Sequence, residues 1–158
     1  GPAALDWRDI PLAEAMDTRH LGIGHGGLKD PVAVNLGNPH AVFFVEDAAA
    51  VNLETSGPVL ERHALFPECT NVEAAQVRGS SDIRLRVWER GVGITRACGS
   101  GACATLVAAH RRGLTGRAAD VELDGGRLHI EWLADNHVLM TGPVARTFSG
   151  TLDAALLG

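Results

Sequence analysis

A cysteine in a glycine-rich turn is the residue of this sequence best placed for chemistry. Residues 89–104 run from the end of a predicted strand, through that turn, into a predicted helix, with Cys98 in the turn. Apolar and polar residues alternate over 83–88, which is the period of a strand with one face in a core. Glu89 continues the apolar phase, so we expect its carboxylate to point inward at the end of this strand.

The helix after the turn is predicted from apolar residues at helical spacing, with Ser100 as its N-cap and Gly113 as its stop. Cys98 therefore lies just outside a helix N-terminus. Unpaired backbone N–H groups and the positive end of the helix dipole favour a thiolate there over a thiol. A cysteine in this position can act as a base or a nucleophile near neutral pH.

The glycines beside Cys98 leave room for a ligand at the same turn. Gly99 and Gly101 carry no side chain, so a substrate carboxylate can approach the N–H groups of residues 99–101. One loop would then hold an anion and a reactive sulfur together. The alternative interpretation is an inert, packed cysteine, which we favour for Cys103 because it lies on the apolar face of the predicted helix.

Two other functions of glycine-rich turns are excluded by the residues around Ser100. A hydrolase nucleophile elbow needs glycines at the positions where Cys98 and Ala102 stand. A nucleotide-binding P-loop ends in Gly-Lys followed by Ser or Thr, and the sequence has no such ending.

Composition and charge indicate one globular domain. The chain has 158 residues, 46% of them hydrophobic and 21% charged, with a formal net charge of -5. Its only basic cluster is Arg111-Arg112, so neither nucleic acid nor an anionic membrane is an expected partner. No apolar run reaches the length of a membrane span and no signal segment is present, so we expect a cytoplasmic protein.

The cysteines and histidines do not form a recognisable framework. Three cysteines are an odd number, no Cys-x-x-Cys occurs, and the seven histidines are scattered. We therefore expect neither a disulfide scaffold nor a metal site.

The rest of the chain is rich in predicted strands. They cover residues 32–36, 40–45, 72–77, 119–123, 127–132, 137–141 and 144–151, and a short surface helix is predicted over 55–63. Together with the helix after Cys98, this pattern predicts an α+β fold in which a mixed, mostly antiparallel sheet wraps around one central helix. The small residues of that helix would let the sheet approach closely.

Polar residues stand at the ends of three predicted strands. Asn38 and His40 flank Pro39, and Asn71 begins the strand at 72. Such strand ends are common sites of ligand contact. The alternative is that Asn38 forms an Asx-type turn and that His40 is a strand-end residue with no role in ligand binding.

With these pieces placed, the chain resembles the C-terminal half of diaminopimelate epimerase. The similarity is carried, in the family's order, by Gly-Asn-Pro-His at 37–40, Phe-Pro-Glu at 66–68, Thr-Asn-Val-Glu at 70–73, Arg-Leu-Arg-Val-Trp-Glu-Arg-Gly at 84–91, Ala-Cys-Gly-Ser-Gly-Ala-Cys-Ala at 97–104 and Met-Thr-Gly-Pro at 140–143.

This resemblance implies a cofactor-independent isomerase of lysine biosynthesis that interconverts LL- and meso-2,6-diaminopimelate in a cleft between two similar halves. One cysteine thiolate removes the Cα proton of the amino-acid substrate and a second cysteine delivers another. Cys98 matches the family's C-terminal catalytic cysteine, Glu89 the carboxylate that assists it, and His40 the residue that assists the other cysteine. Substrate contacts are implied for Asn38, Asn71, Glu89, Arg90, Gly99 and Ser100.

The family's other catalytic cysteine lies in a Gly-Asn-Gly-x-Arg-Cys pattern that this sequence does not contain. We therefore expect residues 1–158 to be a single domain that is active only with the N-terminal half of the same enzyme, and we expect its exposed cleft face to favour a homodimer. Ile94 and Arg96 also depart from the family's usual residues before the cysteine. The alternatives are a related two-cysteine racemase for another amino acid, such as histidine or proline, and a non-catalytic binding or assembly half-domain.

Overall fold

An eight-stranded mixed sheet forms the centre of the fold. The structure, a computed structural model, describes residues 1–153 and 155. Within these residues the helices are α1, Leu53–Glu61, and α2, Gly99–Arg111. The strands are β1 Gly24–His25, β2 Leu28–Lys29, β3 Val32–Asn35, β4 Pro39–Phe44, β5 Asn71–Gly79, β6 Asp82–Glu89, β7 Gly93–Thr95, β8 Ala118–Leu123, β9 Gly126–Trp132 and β10 Val138–Thr141.

The strand order across the sheet is β10-β9-β8-β6-β5-β4-β3, and β7 pairs with β6 outside this path. β4 is parallel to β5 and β6 is parallel to β8, whereas the other pairs are antiparallel. β1 and β2 form a separate small hairpin. The prediction of a mixed, mostly antiparallel sheet is confirmed.

Helix α2 lies against one face of this sheet and contacts strands from β3 to β10. Every residue from 101 to 109 is buried, and most of them are Gly, Ala or Cys. Their small side chains allow the strands to curve closely around the helix on all sides. The predicted central helix is therefore confirmed, and it ends before Gly113, which has φ +70° as a helix stop requires.

Helix α1 covers the opposite face of the sheet, so the central strands are buried on both sides. Val42 of β4 packs in the core beside α2, whereas the next residue, Phe43, packs with Leu53 and Leu60 of α1. This alternation is the strand period of two. The predicted surface helix therefore exists, but it buries one side in a second core.

Two predictions about secondary structure are wrong. Residues 144–151 form no strand, because β10 is the edge of the sheet and no described strand lies beside this exposed segment to pair with it. Ser100 is not the N-cap of α2, because the helix begins at Gly99 and the side chain of Cys98 accepts the capping hydrogen bond instead.

Candidate active site

Cys98 is the N-cap residue of α2, with an extended backbone at φ -137° and ψ 108°. Its Sγ accepts a hydrogen bond from the N–H of Gly101 at 3.3 Å and lies 3.6 Å from the hydroxyl of Ser100. The N–H groups of Gly99 and Ser100 belong to the first turn of the helix and have no acceptor within it. The turn thus holds a sulfur and free amide donors side by side.

The ionisation of Cys98 differs from the expectation drawn from its position. Burial raises the pKa of the Cys98 thiol, hydrogen bonds from Ser100 and Gly101 lower it, and the charges of Glu73 and Glu89 raise it again, so that the pKa is raised overall. The predicted preference for a thiolate near neutral pH is therefore wrong for this chain by itself. The physical reason is that the start of α2 is packed against the sheet, where a thiolate loses hydration.

The other two cysteines, Cys103 and Cys69, lie outside the turn that carries Cys98. Cys103 is buried in the core beside α2, and burial raises the pKa of its thiol to about 11. Its interpretation as a packed core residue is confirmed. Cys69 is half-buried with φ +59°, and all three cysteines are free thiols.

Strand pairing brings distant polar residues into one row on the face that carries α2. The register pairs His40 of β4 with Asn71 of β5, and Val72 of β5 with Trp88 of β6. Because successive residues point to opposite faces, this register sets Asn71 beside Glu89 on the side of α2. The polar ends of β4, β5 and β6 therefore lie side by side on one face of the sheet.

Glu89 is half-buried at the end of β6, in the inward phase that the sequence predicts. Its Oε1 accepts a hydrogen bond from the hydroxyl of Thr95 at 2.5 Å. Thr95 reaches it because β7 folds back along β6 after a turn in which Gly91 has φ +73°. β7 was not predicted, because it is only three residues long.

Asn71 braces two segments of the site. Its Nδ2 donates to the carbonyl of Pro39 at 2.9 Å and its Oδ1 accepts from the N–H of Arg90 at 2.9 Å, with the side chain buried. The Arg90 guanidinium donates to the carbonyl of Glu68 at 2.8 Å. Asn71 therefore fixes the loop that carries Arg90 to the start of β4.

His40 is fully buried and both of its ring nitrogens are engaged. Nδ1 lies 2.6 Å from Oε1 of Glu73 and Nε2 lies 2.9 Å from Oδ1 of Asn38. The Asx-type contact considered for Asn38 is made by Asn35 instead, whose Oδ1 accepts from the N–H of Gly37 at 2.7 Å. The side chain of Asn38 is thus not engaged in an Asx turn and covers the histidine.

Sequence reasoning missed Glu73 and Thr95 as parts of this site. Glu73 follows Asn71 by two residues, so the strand period was a usable signal that both face the same side. Thr95 carried no such signal, because its position depends on the short strand β7.

Residues 1–153 and 155 contain neither a metal-binding cluster nor a membrane-spanning helix. No group of three or more His, Cys, Asp or Glu side chains is placed to hold a metal ion. No helix in the same part of the chain is long and apolar enough to cross a membrane.

The architecture is found in a solved structure from another organism. A protein described as a predicted epimerase from Pseudomonas aeruginosa aligns with 94% of this chain and 57% of its own, with a TM-score of 0.53 at 17% identity. At this level of identity the likeness concerns the fold alone. The chain thus has the fold of a part of that protein.

Sequence comparison identifies the family within this fold. Residues 32–147 match the family described as diaminopimelate epimerase. The chain is 67% identical to the diaminopimelate epimerase of Rhodospirillum centenum, over 99% of this chain and 54% of the relative, and 60% identical to that of Erythrobacter litoralis, over 97% and 57%. The chain belongs to the diaminopimelate epimerase family and spans about half the length of these curated relatives.

Proposed function

We propose that this chain supplies one half of the active site of a cofactor-independent amino-acid epimerase that interconverts LL- and meso-2,6-diaminopimelate. The observation that carries the proposal is the sulfur of Cys98 at the N-terminus of α2, with free amide donors beside it and a carboxylate, Glu89, on the adjoining strand. Membership of the diaminopimelate epimerase family supports the choice of substrate.

In the proposed reaction, Cys98 exchanges a proton with the substrate Cα on one face. The α-carboxylate binds the N–H groups of Gly99 and Ser100, where the helix terminus stabilises the negative charge that develops when the Cα proton leaves. Glu89, held by the hydroxyl of Thr95, assists the thiol. Removing a proton from an amino-acid Cα without a cofactor depends on such fixed donors and on exclusion of water.

The thiolate needed for this step forms when substrate binds. In the chain alone the pKa of the Cys98 thiol is raised by burial. The α-ammonium group of an amino acid brings a positive charge to the same place, and a positive charge within a few ångströms lowers the pKa of a thiol. Substrate binding thus lowers the pKa of the Cys98 thiol, and the thiolate then removes the Cα proton of the substrate.

Inversion requires a second acid on the opposite face of the Cα. Cys103 is packed in the core and Cys69 lies outside the turn, so neither serves that face. We propose that the N-terminal half of the same enzyme provides the second cysteine and closes the cleft. The isolated chain would then be inactive as an epimerase.

The remaining site residues bind substrate at the row of strand ends. Asn38 and Arg90 carry donors for the substrate's other carboxylate, and Asn71 holds both of their loops in place through the carbonyl of Pro39 and the N–H of Arg90. His40 serves the opposite cysteine in this proposal. Its ring is buried, so it acts through Asn38, the group that covers Nε2.

A substrate panel tests the assignment. The complete enzyme, with both halves present, is assayed for racemisation of diaminopimelate, proline and histidine by chiral chromatography. We expect turnover of diaminopimelate, and at least about tenfold lower kcat/KM for the amino acids without a second amino-acid centre, since the donors of Asn38 and Arg90 would be left unpaired. Preferred turnover of proline or histidine would contradict the assignment of diaminopimelate as the substrate. Turnover of none of the three would contradict the proposed epimerase activity.

A further inference from the structure

A wholly buried pair of ionisable side chains, His40 and Glu73, lies beneath the proposed site. Both side chains have 0% exposure, and Nδ1 and Oε1 are 2.6 Å apart. Glu73 pairs with Val42 on the neighbouring parallel strand, so it points to the same face as His40. Its second oxygen, Oε2, is buried and has no hydrogen-bond partner among the described residues. A carboxylate in that setting is costly unless its charge is shared or neutralised.

The second ring nitrogen of His40, Nε2, determines how many protons the pair of His40 and Glu73 holds. Nε2 of His40 faces Oδ1 of Asn38 at 2.9 Å, and an amide oxygen only accepts hydrogen bonds, so Nε2 carries a proton. The contact between Nδ1 and Glu73 then holds one proton. It lies either on the carboxyl, which donates to a neutral imidazole, or on the ring, which donates to a carboxylate. The pair is uncharged in both descriptions.

The same contact decides which end of the Asn38 amide faces outward. Oδ1 is turned toward His40, so the NH2 group points away from it, and within the described part of the chain Nδ2 has no acceptor. An outward NH2 group complements a carboxylate. If Nε2 lost its proton, the amide would have to reverse to donate to the ring, and its oxygen would then repel the same carboxylate.

We propose that Glu73 is a positioning residue of the substrate site: by sharing one proton with Nδ1 of His40 it keeps Nε2 protonated, and so holds Asn38 with its NH2 group toward an anionic group of the substrate. The identity of that substrate rests on the proposed function, whereas the proton arrangement is a property of the chain alone. Burial raises the pKa of the Glu73 carboxyl and the charge of His40 opposes this. The other ionisable groups on this side are Glu89 and Cys98.

The first test needs no variant and no activity. Nitrogen-15 NMR of the histidine rings in the chain reports which nitrogen of His40 carries a proton. We expect a protonated Nε2 at neutral pH, because this nitrogen faces the amide oxygen of Asn38, which only accepts hydrogen bonds. A bare Nε2 with the proton on Nδ1 would overturn the proposal.

The second test replaces the carboxyl. In Glu73→Met the side chain keeps a similar length but can neither donate to nor accept from Nδ1, so we expect the Nδ1–H tautomer of His40 to become populated. Glu73→Gln is the conservative comparison, because its amide NH2 group can donate to Nδ1 and should keep Nε2 protonated. The matched control is Asp120→Ala, which removes the carboxyl of an exposed pair where Nδ1 of His129 lies 2.7 Å from Asp120, and it should leave the His40 signals unchanged. An unaltered tautomer in Glu73→Met would overturn the proposal.

The third test uses the complete enzyme. We expect Glu73→Met to raise the KM for diaminopimelate about tenfold or more with a smaller change in kcat, because the hydrogen bond from Asn38 to a charged group of the substrate is lost, whereas Glu73→Gln should have a smaller effect. The effect should largely vanish when Asn38 is already alanine, since Glu73 acts through that residue. Full additivity would overturn the proposal. An inactive wild-type enzyme would instead contradict the proposed function and leave the NMR result to decide this one.

Discussion

Glu73 and Cys98 both lie against the same point of Gly101, the place where a side chain would begin. Oε1 of Glu73 lies 3.1 Å, and Sγ of Cys98 3.2 Å, from the position that a Cβ on Gly101 would occupy. The backbone of Gly101 is not in the left-handed region. Glycine is therefore needed here because it lacks a side chain and not because of its conformation. The glycine allows a buried carboxyl and the candidate base to lie over the same helical turn.

Substitution of Gly101 by alanine should therefore damage the site. The added methyl group is closer to both atoms than ordinary contacts allow, and both are confined, so the sulfur or the carboxyl must shift. In the complete enzyme we expect kcat to fall about tenfold or more, since a small misplacement of a catalytic group is costly. The control is Gly116→Ala, where no atom lies within 4 Å of the new Cβ. Equal activity of the two variants would contradict this account.

Removal of the sulfur should abolish epimerisation. We expect Cys98→Ala in the complete enzyme to lower kcat by about 10²–10⁴-fold or more, the usual contribution of a positioned acid or base. Cys103→Ala serves as the matched control, because it removes a buried thiol of the same helix that takes no part in the reaction. It should keep turnover and lose only stability. Substantial turnover by Cys98→Ala, measured by chiral chromatography, would rule out the proposed base.

The raised pKa of Cys98 has a direct pH signature. A small alkylating reagent reacts with the thiolate, so a raised pKa moves the midpoint of the rate to higher pH. For the chain alone we expect a midpoint above about 8.5, the value of a free cysteine, with Cys103 reacting only at still higher pH. Mass spectrometry of the peptides separates the two sites. A midpoint for Cys98 at or below that of a free cysteine would show that burial does not determine the pKa of this thiol.

The two hydrogen bonds of Asn71, to Pro39 and from Arg90, should contribute to the free energy of unfolding. Asn71→Ala leaves the carbonyl of Pro39 and the N–H of Arg90 without their partner, and we expect a loss of about 1–3 kcal/mol in the free energy of unfolding, measured with urea. Asn52→Ala is a useful comparison, because this residue makes one exposed capping bond to Thr55. A smaller loss for Asn71→Ala than for Asn52→Ala would argue against the brace.

Local patterns in the sequence were sufficient for most of the fold. The period of two predicted β6, and apolar residues at helical spacing predicted α2, because both signals report which face is buried. The extra strand at 144–151 was wrongly predicted from local sequence, since a strand also needs a neighbour to pair with. β7 has only three residues, which are too few to show the alternation of a strand.

The site was predictable where residues of one segment act together, as Cys98 and the amides of Gly99 and Ser100 do. The contacts of His40 with Glu73 were not, because they depend on the parallel register of β4 and β5, which no local pattern encodes. The pKa of Cys98 was misjudged for a related reason. Its position at a helix terminus is local, but its burial comes from strands distant in sequence.

Proton exchange in D2O tests the central claim that this chain holds one of two bases. Diaminopimelate is incubated in D2O under reducing conditions with the chain alone, and with the chain plus an N-terminal half shown to bind it, and deuterium at Cα is followed by NMR. The account predicts exchange with inversion only when both halves are present. Absence of exchange in the assembled pair, or inversion by this chain alone, would contradict it.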